Sequence, residues 1–95
     1  MTTSTIRIPT PLRTLTDGAA SVEVTADDVR GALTHLGEHH AELVARVLDD
    51  TGELRPFVNL FVGSRDVRDL EGLSTPVQAG DVLTILPAVA GGRLG

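Results

Sequence analysis

Apolar residues repeat along this chain with two different periods, and the order of those periods constrains the fold more than any other feature. Thr5-Ile6-Arg7-Ile8 and Ser21-Val22-Glu23-Val24 alternate polar with apolar, the period of a half-buried strand. Val29, Ala32, Leu33 and Leu36 then follow at helical spacing, and the stripe resumes at Leu43, Val44, Val47 and Leu48. Phe57 to Val62 and the β-branched run Val82 to Leu86 return to strand character, with a brief strand at Arg65-Asp66-Val67 between them. Breakers punctuate the series. Pro9 and Pro11 stop the first strand, Asp17-Gly18 turns the chain and Asp49-Asp50-Thr51-Gly52 is a polar turn. Gly63-Ser64 is a tight turn, Pro76 and Gly80 interrupt a mostly irregular stretch over 69–80, and Pro87 stops the last strand.

Pro11-Leu12-Arg13 reads as loop. The spacing predicts a main helix over about 26–39 and a further turn or two near 41–48. Thr25 is placed to cap the helix, with Asp27 and Asp28 putting negative charge at its positive end. The order β-β-α-β-(β)-β implies an α+β fold in which a mixed sheet packs on one main helix. Right-handed crossover through that helix lets the first and last strands lie side by side and parallel at the centre. The chain has 95 residues and no cysteine, so neither disulfides nor thiolate metal sites can staple it, and its core rests on apolar burial. No repeat or linker divides it.

Charge and composition remove several functions. The net charge of −5 opposes general nucleic-acid binding. Phe57 and Phe61 are the only aromatics, too few for a base-stacking platform. All eight basic residues are arginine, so no lysine Schiff base and no lysine-linked self-polymer can form. No apolar run is long enough to cross a membrane, and the start lacks the apolar core of a secretory signal, so the expected compartment is the cytoplasm.

Strand parity predicts an apolar patch on the outer face of the sheet. Alternation about Thr84 turns Leu83 and Ile85 inward and Val82 and Leu86 outward. Alternation about Asn59 turns Val58, Leu60 and Val62 inward and Phe57 and Phe61 outward. Phe61 and Leu86, extended by Phe57, then form a candidate partner-docking patch, unless a loop such as 64–76 covers them.

The C-terminal residues carry the most information. Ala88-Val89-Ala90-Gly91-Gly92 has no bulky polar group and ends in two glycines, a thin peptide suited to threading a narrow channel. A frayed end is the plain alternative. With the preceding strand, however, Gly80-Asp81-Val82-Leu83-Thr84-Ile85-Leu86-Pro87-Ala88-Val89-Ala90-Gly91-Gly92 closely resembles the C-terminal signature of ubiquitin-like sulfur-carrier proteins of the ThiS/MoaD type. Phe57-Val58-Asn59-Leu60-Phe61-Val62, followed by Asp66-Val67-Arg68, resembles the middle strand and turn of the CysO branch. The resemblance runs from Ile6 to Gly92.

This resemblance implies a β-grasp, ubiquitin-like domain over 1–87 and a flexible diglycine tail over 88–95. It implies a protein substrate rather than an enzyme, with no catalytic residue and no bound cofactor of its own. An E1-like adenylating enzyme would use ATP and Mg²⁺ to adenylate the Gly92 carboxylate. A sulfur donor would then displace AMP and leave a thiocarboxylate. The sulfur would pass to a biosynthetic enzyme that is cysteine-synthase-like or thiosugar- or thiazole-synthase-like. Gly91 and Gly92 would carry the chemistry, Ala88, Val89 and Ala90 would thread the tail, and Phe61 and Leu86 would dock the adenylating enzyme. One departure is plain: Arg93-Leu94-Gly95 extend beyond Gly92, whose carbonyl is then an amide. A JAMM-type metalloprotease removes such extensions in some relatives, so this sequence reads as a precursor cleaved after Gly92. A cloning remnant and direct use of the Gly95 carboxylate are the alternatives on this point. The alternative for the whole chain is a non-covalent ubiquitin-like interaction module.

Other constellations are weaker. His35-Leu36-Gly37-Glu38-His39 has the H-x-x-E-H spacing of inverted zinc proteases, but Gly37 weakens the helix and no third ligand follows convincingly. A polar helix end with His39 and His40 near its negative pole explains these residues, and no metal site is expected. Asp27-Asp28 and Asp49-Asp50 are adjacent pairs whose side chains diverge, which suits caps and turns better than acid–base chemistry. Arg65 and Arg68 are placed to read an acidic partner, although solvated arginine is the commoner case. Ser64 and Ser74 have no basic residue close in sequence to activate them.

Overall fold

A computed structural model describes residues 2–87. The strands are β1 (Thr2–Arg7), β2 (Ser21–Ala26), β3 (Val58–Val62), β4 (Arg65–Asp66) and β5 (Val82–Pro87). The helices are α1 (Val29–Gly37) and α2 (Ala41–Val47). The five strands form one mixed sheet in the order β2-β1-β5-β3-β4. β1 and β5 run parallel at its centre, with Thr5 opposite Val82 and Arg7 opposite Thr84. The β1–β2 and β3–β4 hairpins are antiparallel and flank this pair. The central parallel pair is the one the element order allowed, and the whole is the β-grasp arrangement that the resemblance implied.

One core lies between the sheet and the helices. Ile6, Val24, Leu60, Leu83 and Ile85 come up from the sheet, and Val29, Leu33, Leu36, Leu43 and Val47 come down from the helices, all of them buried. The helical contributors follow the stripe read from the sequence, so the helical period is what closes the core. Ile8 and Val67, just outside their strands, are buried with them. Ser4 also faces inward, with no hydrogen-bond partner for its hydroxyl.

Four local expectations are corrected. Thr25 is not the helix cap: β2 continues through Ala26, and Asp28 caps α1 by accepting from the Gly31 N–H at 2.7 Å. The strand wins because Thr25 and Ala26 still pair with β1, opposite Thr3 and Thr2. The helix therefore begins later than expected and ends at Gly37, and α2 is a separate short helix. The segment read as loop around Pro11 is a 3₁₀ turn over Thr10–Thr16, begun by proline at its first positions. Phe57 lies just before β3 rather than within it.

Candidate functional surface and the base of the tail

The Gly80-Asp81 pair of the C-terminal signature sets the start of β5. Gly80 has φ +85°, a left-handed conformation that glycine adopts without strain. Its N–H donates to the Thr3 carbonyl at 3.0 Å. The Asp81 carboxylate accepts from the Gln78 N–H at 2.8 Å, and the Asp81 N–H returns to the Gln78 carbonyl at 3.0 Å. This closed turn fixes where β5 enters the sheet, and with it which residues face outward.

β5 is the central strand, but its two sides are not equally held. β1 accompanies it only as far as Thr84, whereas β3 accompanies it to the end, where Val58 lies opposite Pro87. The residues before the tail are thus fixed by β3. Residues 88–95 lie outside the described residues, and with them the expected roles of Ala88, Val89, Ala90, Gly91 and Gly92 and of the extension Arg93, Leu94 and Gly95.

Face parity in β5 is as the alternation predicts. Leu83 and Ile85 are fully buried, while Val82 and Leu86 are 37% and 45% exposed. In β3, Val58 and Leu60 are buried and Val62 is partly buried against the core. Phe61 points outward but is half-buried, because it sits between Thr84 of β5 and Asp66 of β4 in the register. Phe57, 54% exposed, is the most open large apolar residue described. The outer face therefore presents Phe57, Val82 and Leu86, with Phe61 filling the space between strands. The turn after β4 covers only part of it, at Asn59, where Arg68 Nη1 donates to Oδ1 at 3.1 Å. Val82 as an open residue follows from its parity, but Arg68 crossing to Asn59 is a tertiary contact with no local sequence signal.

The remaining constellations have structural uses. The Thr25 N–H donates to His35 Nδ1 at 2.8 Å, so one ring nitrogen of the H-x-x-E-H motif serves the edge strand β2. α1 ends at Gly37, which breaks the helical face that would bring His35 and His39 together. Among the described residues no group of three potential metal ligands occurs. Asp49 accepts from the Thr51 hydroxyl at 2.6 Å and from the backbone N–H groups of Thr51 and Glu53. The Thr51 hydroxyl first, then the Glu53 N–H, holds its carboxyl below the usual range. It is the keystone of the turn after α2. Ser64 and Ser74 are exposed, and no helix among the described residues is long and apolar enough to cross a membrane.

Comparison with known proteins settles the family. Residues 6–92 match the ThiS family. The chain belongs to the ThiS family. Sulfur carrier protein CysO of Mycobacterium tuberculosis is 41% identical over 90 residues, covering 93% of this chain and 97% of that protein. The crystal structure of the BexX/CysO complex of Amycolatopsis orientalis contains a chain 44% identical to this one, with a TM-score of 0.87 over 94% of this chain and 99% of that one. Crystalline Mycobacterium tuberculosis CysO superposes with a TM-score of 0.84 at 39% identity, over 90% of this chain and 99% of that one. This ThiS-family protein is a sulfur carrier of the CysO type, a small ubiquitin-like carrier rather than a catalyst. The match stops at Gly92, and Arg93-Leu94-Gly95 lie beyond it.

Proposed function

We infer that this carrier delivers sulfur as a thiocarboxylate on Gly92. Hydrolysis of the Gly92–Arg93 amide by a JAMM-type metalloprotease frees the Gly92 carboxylate. An E1-like enzyme then joins that carboxylate to the α-phosphorus of ATP, with Mg²⁺ neutralising the phosphates and pyrophosphate leaving. A carboxylate is a poor electrophile, and the acyl-adenylate turns it into a good one. A sulfur donor attacks the carbonyl carbon, AMP departs, and the thiocarboxylate carries a nucleophilic sulfur to its acceptor enzyme. The setting is the cytoplasm, where ATP is available.

The observation that carries this reading is the division of labour in β5. One strand buries Leu83 and Ile85 to fix itself centrally, exposes Val82 and Leu86, and runs directly into the diglycine segment. Gly92 lies six positions beyond Leu86, a span of at most about 22 Å when extended. An enzyme docked on the outer face through Leu86 and Phe61 is therefore within reach of the carboxylate, with Ala88, Val89 and Ala90 thin enough to enter its channel. The CysO relatives favour cysteine biosynthesis as the destination, served by a cysteine-synthase-like acceptor. That a CysO has been crystallised with BexX supports a tight protein–protein handover, and a thiosugar- or thiazole-synthase-like acceptor is the other destination.

Gly92→Ala in the chain ending at residue 92 tests the reading. A Cβ at the reacting residue should abolish or sharply slow sulfur loading while the fold is unchanged. A non-covalent interaction module would keep its full biological activity with this substitution, and that result would replace the carrier reading.

A further inference from the structure

We propose that Arg68 is a specificity residue of the outer face, a pre-set receptor for a carboxylate on the docking partner. The inference rests on the reading that this face docks an adenylating enzyme. Register places Leu86 opposite Asn59, so Asn59 is the polar centre of a patch otherwise made by Phe57, Phe61 and Leu86. Covering that patch would strand the Asn59 side-chain carbonyl unless it is already bonded. Arg68 bonds it, with Nη1 donating to Asn59 Oδ1 at 3.1 Å, while Nη2 donates to the Arg55 carbonyl at 2.7 Å.

Both of these acceptors are neutral. They orient the guanidinium and leave its charge uncompensated. The carboxylate closest in sequence, Asp66, gives its Oδ1 to the Arg68 backbone N–H at 2.8 Å, and no carboxylate among the described residues pairs with the guanidinium. Two of the five guanidinium N–H groups are used, which leaves three on an exposed side chain. Arg65 does not share the task, because it lies opposite Val62 and so on the other face from Asp66. A planar fork already held in place matches an aspartate or glutamate in the paired, two-bond geometry, and its rotamers need little further ordering on binding. The complement is a protein surface bearing one such acid, flanked by apolar groups that meet Phe57 and Leu86.

The test measures KM and kcat for the carrier ending at Gly92 in ATP–pyrophosphate exchange by the adenylating enzyme of the same organism. Arg68→Gln should raise KM by about ten-fold or more with kcat unchanged, and should flatten the rise of KM with salt. Arg68→Lys keeps the charge and loses the fork, and should recover only part of the loss. Thermal unfolding checks that each variant is folded. If Leu86→Ala raises KM while Arg68→Gln and Arg68→Lys match the parent in KM and in salt response, the face docks but Arg68 reads no acid, and the proposal is overturned. If neither Leu86 nor Arg68 substitutions change KM, the docking face itself is wrong and the proposal falls with it. Should Arg68→Gln fail to fold, Arg68→Lys decides: an unchanged KM overturns the fork, and a raised KM supports it.

Discussion

Ile85 and Leu86 are chain neighbours that face opposite ways, and truncating each to alanine should separate stability from docking. Ile85 is fully buried, and removing an isoleucine side chain from a packed core costs about 2–5 kcal/mol. Leu86 is 45% exposed, and full burial of a leucine contributes about 1.5–3 kcal/mol, so its truncation should cost no more than about 1 kcal/mol. In a domain of 95 residues, each kcal/mol moves Tm by about 4–8 °C. Taking about 3 kcal/mol for Ile85→Ala, its Tm should fall by about 12–24 °C, against less than about 8 °C for Leu86→Ala. Far-UV circular dichroism is the suitable probe, since the chain has no Trp or Tyr for intrinsic fluorescence. The same proteins are assayed for KM with the adenylating enzyme at a temperature where both are folded. Leu86→Ala should raise KM strongly, and Ile85→Ala should leave it nearly unchanged. Equal losses of Tm, or a docking defect confined to Ile85→Ala, would refute the assignment of faces.

Three further expectations concern the scaffold. Asp28→Ala removes the α1 cap, the Gly31 N–H bond of 2.7 Å, and should cost about 1 kcal/mol in urea or thermal unfolding. Ser4→Ala should leave stability equal or higher, because the buried Ser4 hydroxyl has no partner to lose; a clear loss in the same assay would reveal a bond to that hydroxyl. Asp49, held below the usual carboxylate range by Thr51 and Glu53, contributes stability that is present above that range and is lost as pH falls through its folded value. Asp49→Asn should therefore flatten the acid limb of stability against pH, and carboxyl NMR titration of the parent should show Asp49 protonating below the usual aspartate range.

The elements that were legible from the sequence are those set by periodicity. Alternation at Ile6, Val24, Leu60 and Ile85 fixed inward faces, and the stripe from Val29 to Leu36 fixed the buried side of α1. Competition between neighbouring local signals was not legible. Thr25 is as good a cap as Asp28 in isolation, and only pairing with Thr3 of β1 decides that it stays in the strand. The 3₁₀ turn over Thr10–Thr16 has no apolar period to betray it, since its one fully buried residue is Thr16. At the candidate surface, parity predicted that Phe61 points outward but not that Thr84 and Asp66 would half-cover it. The Arg68–Asn59 bond joins residues nine apart across a turn, a contact that no spacing rule contains. The proposed chemical end of the molecule rests on the family signature alone, because the run from Ala88 to Gly92 has no polar–apolar alternation to read.

The central claim is tested most directly by the intact mass of the protein purified from its own organism under non-reducing, neutral conditions. The account predicts a chain ending at Gly92, with a fraction in which one oxygen of the terminal carboxylate is replaced by sulfur. A population that keeps Arg93-Leu94-Gly95 throughout and never gains sulfur, even when an adenylating enzyme and a sulfur donor are present, would contradict it.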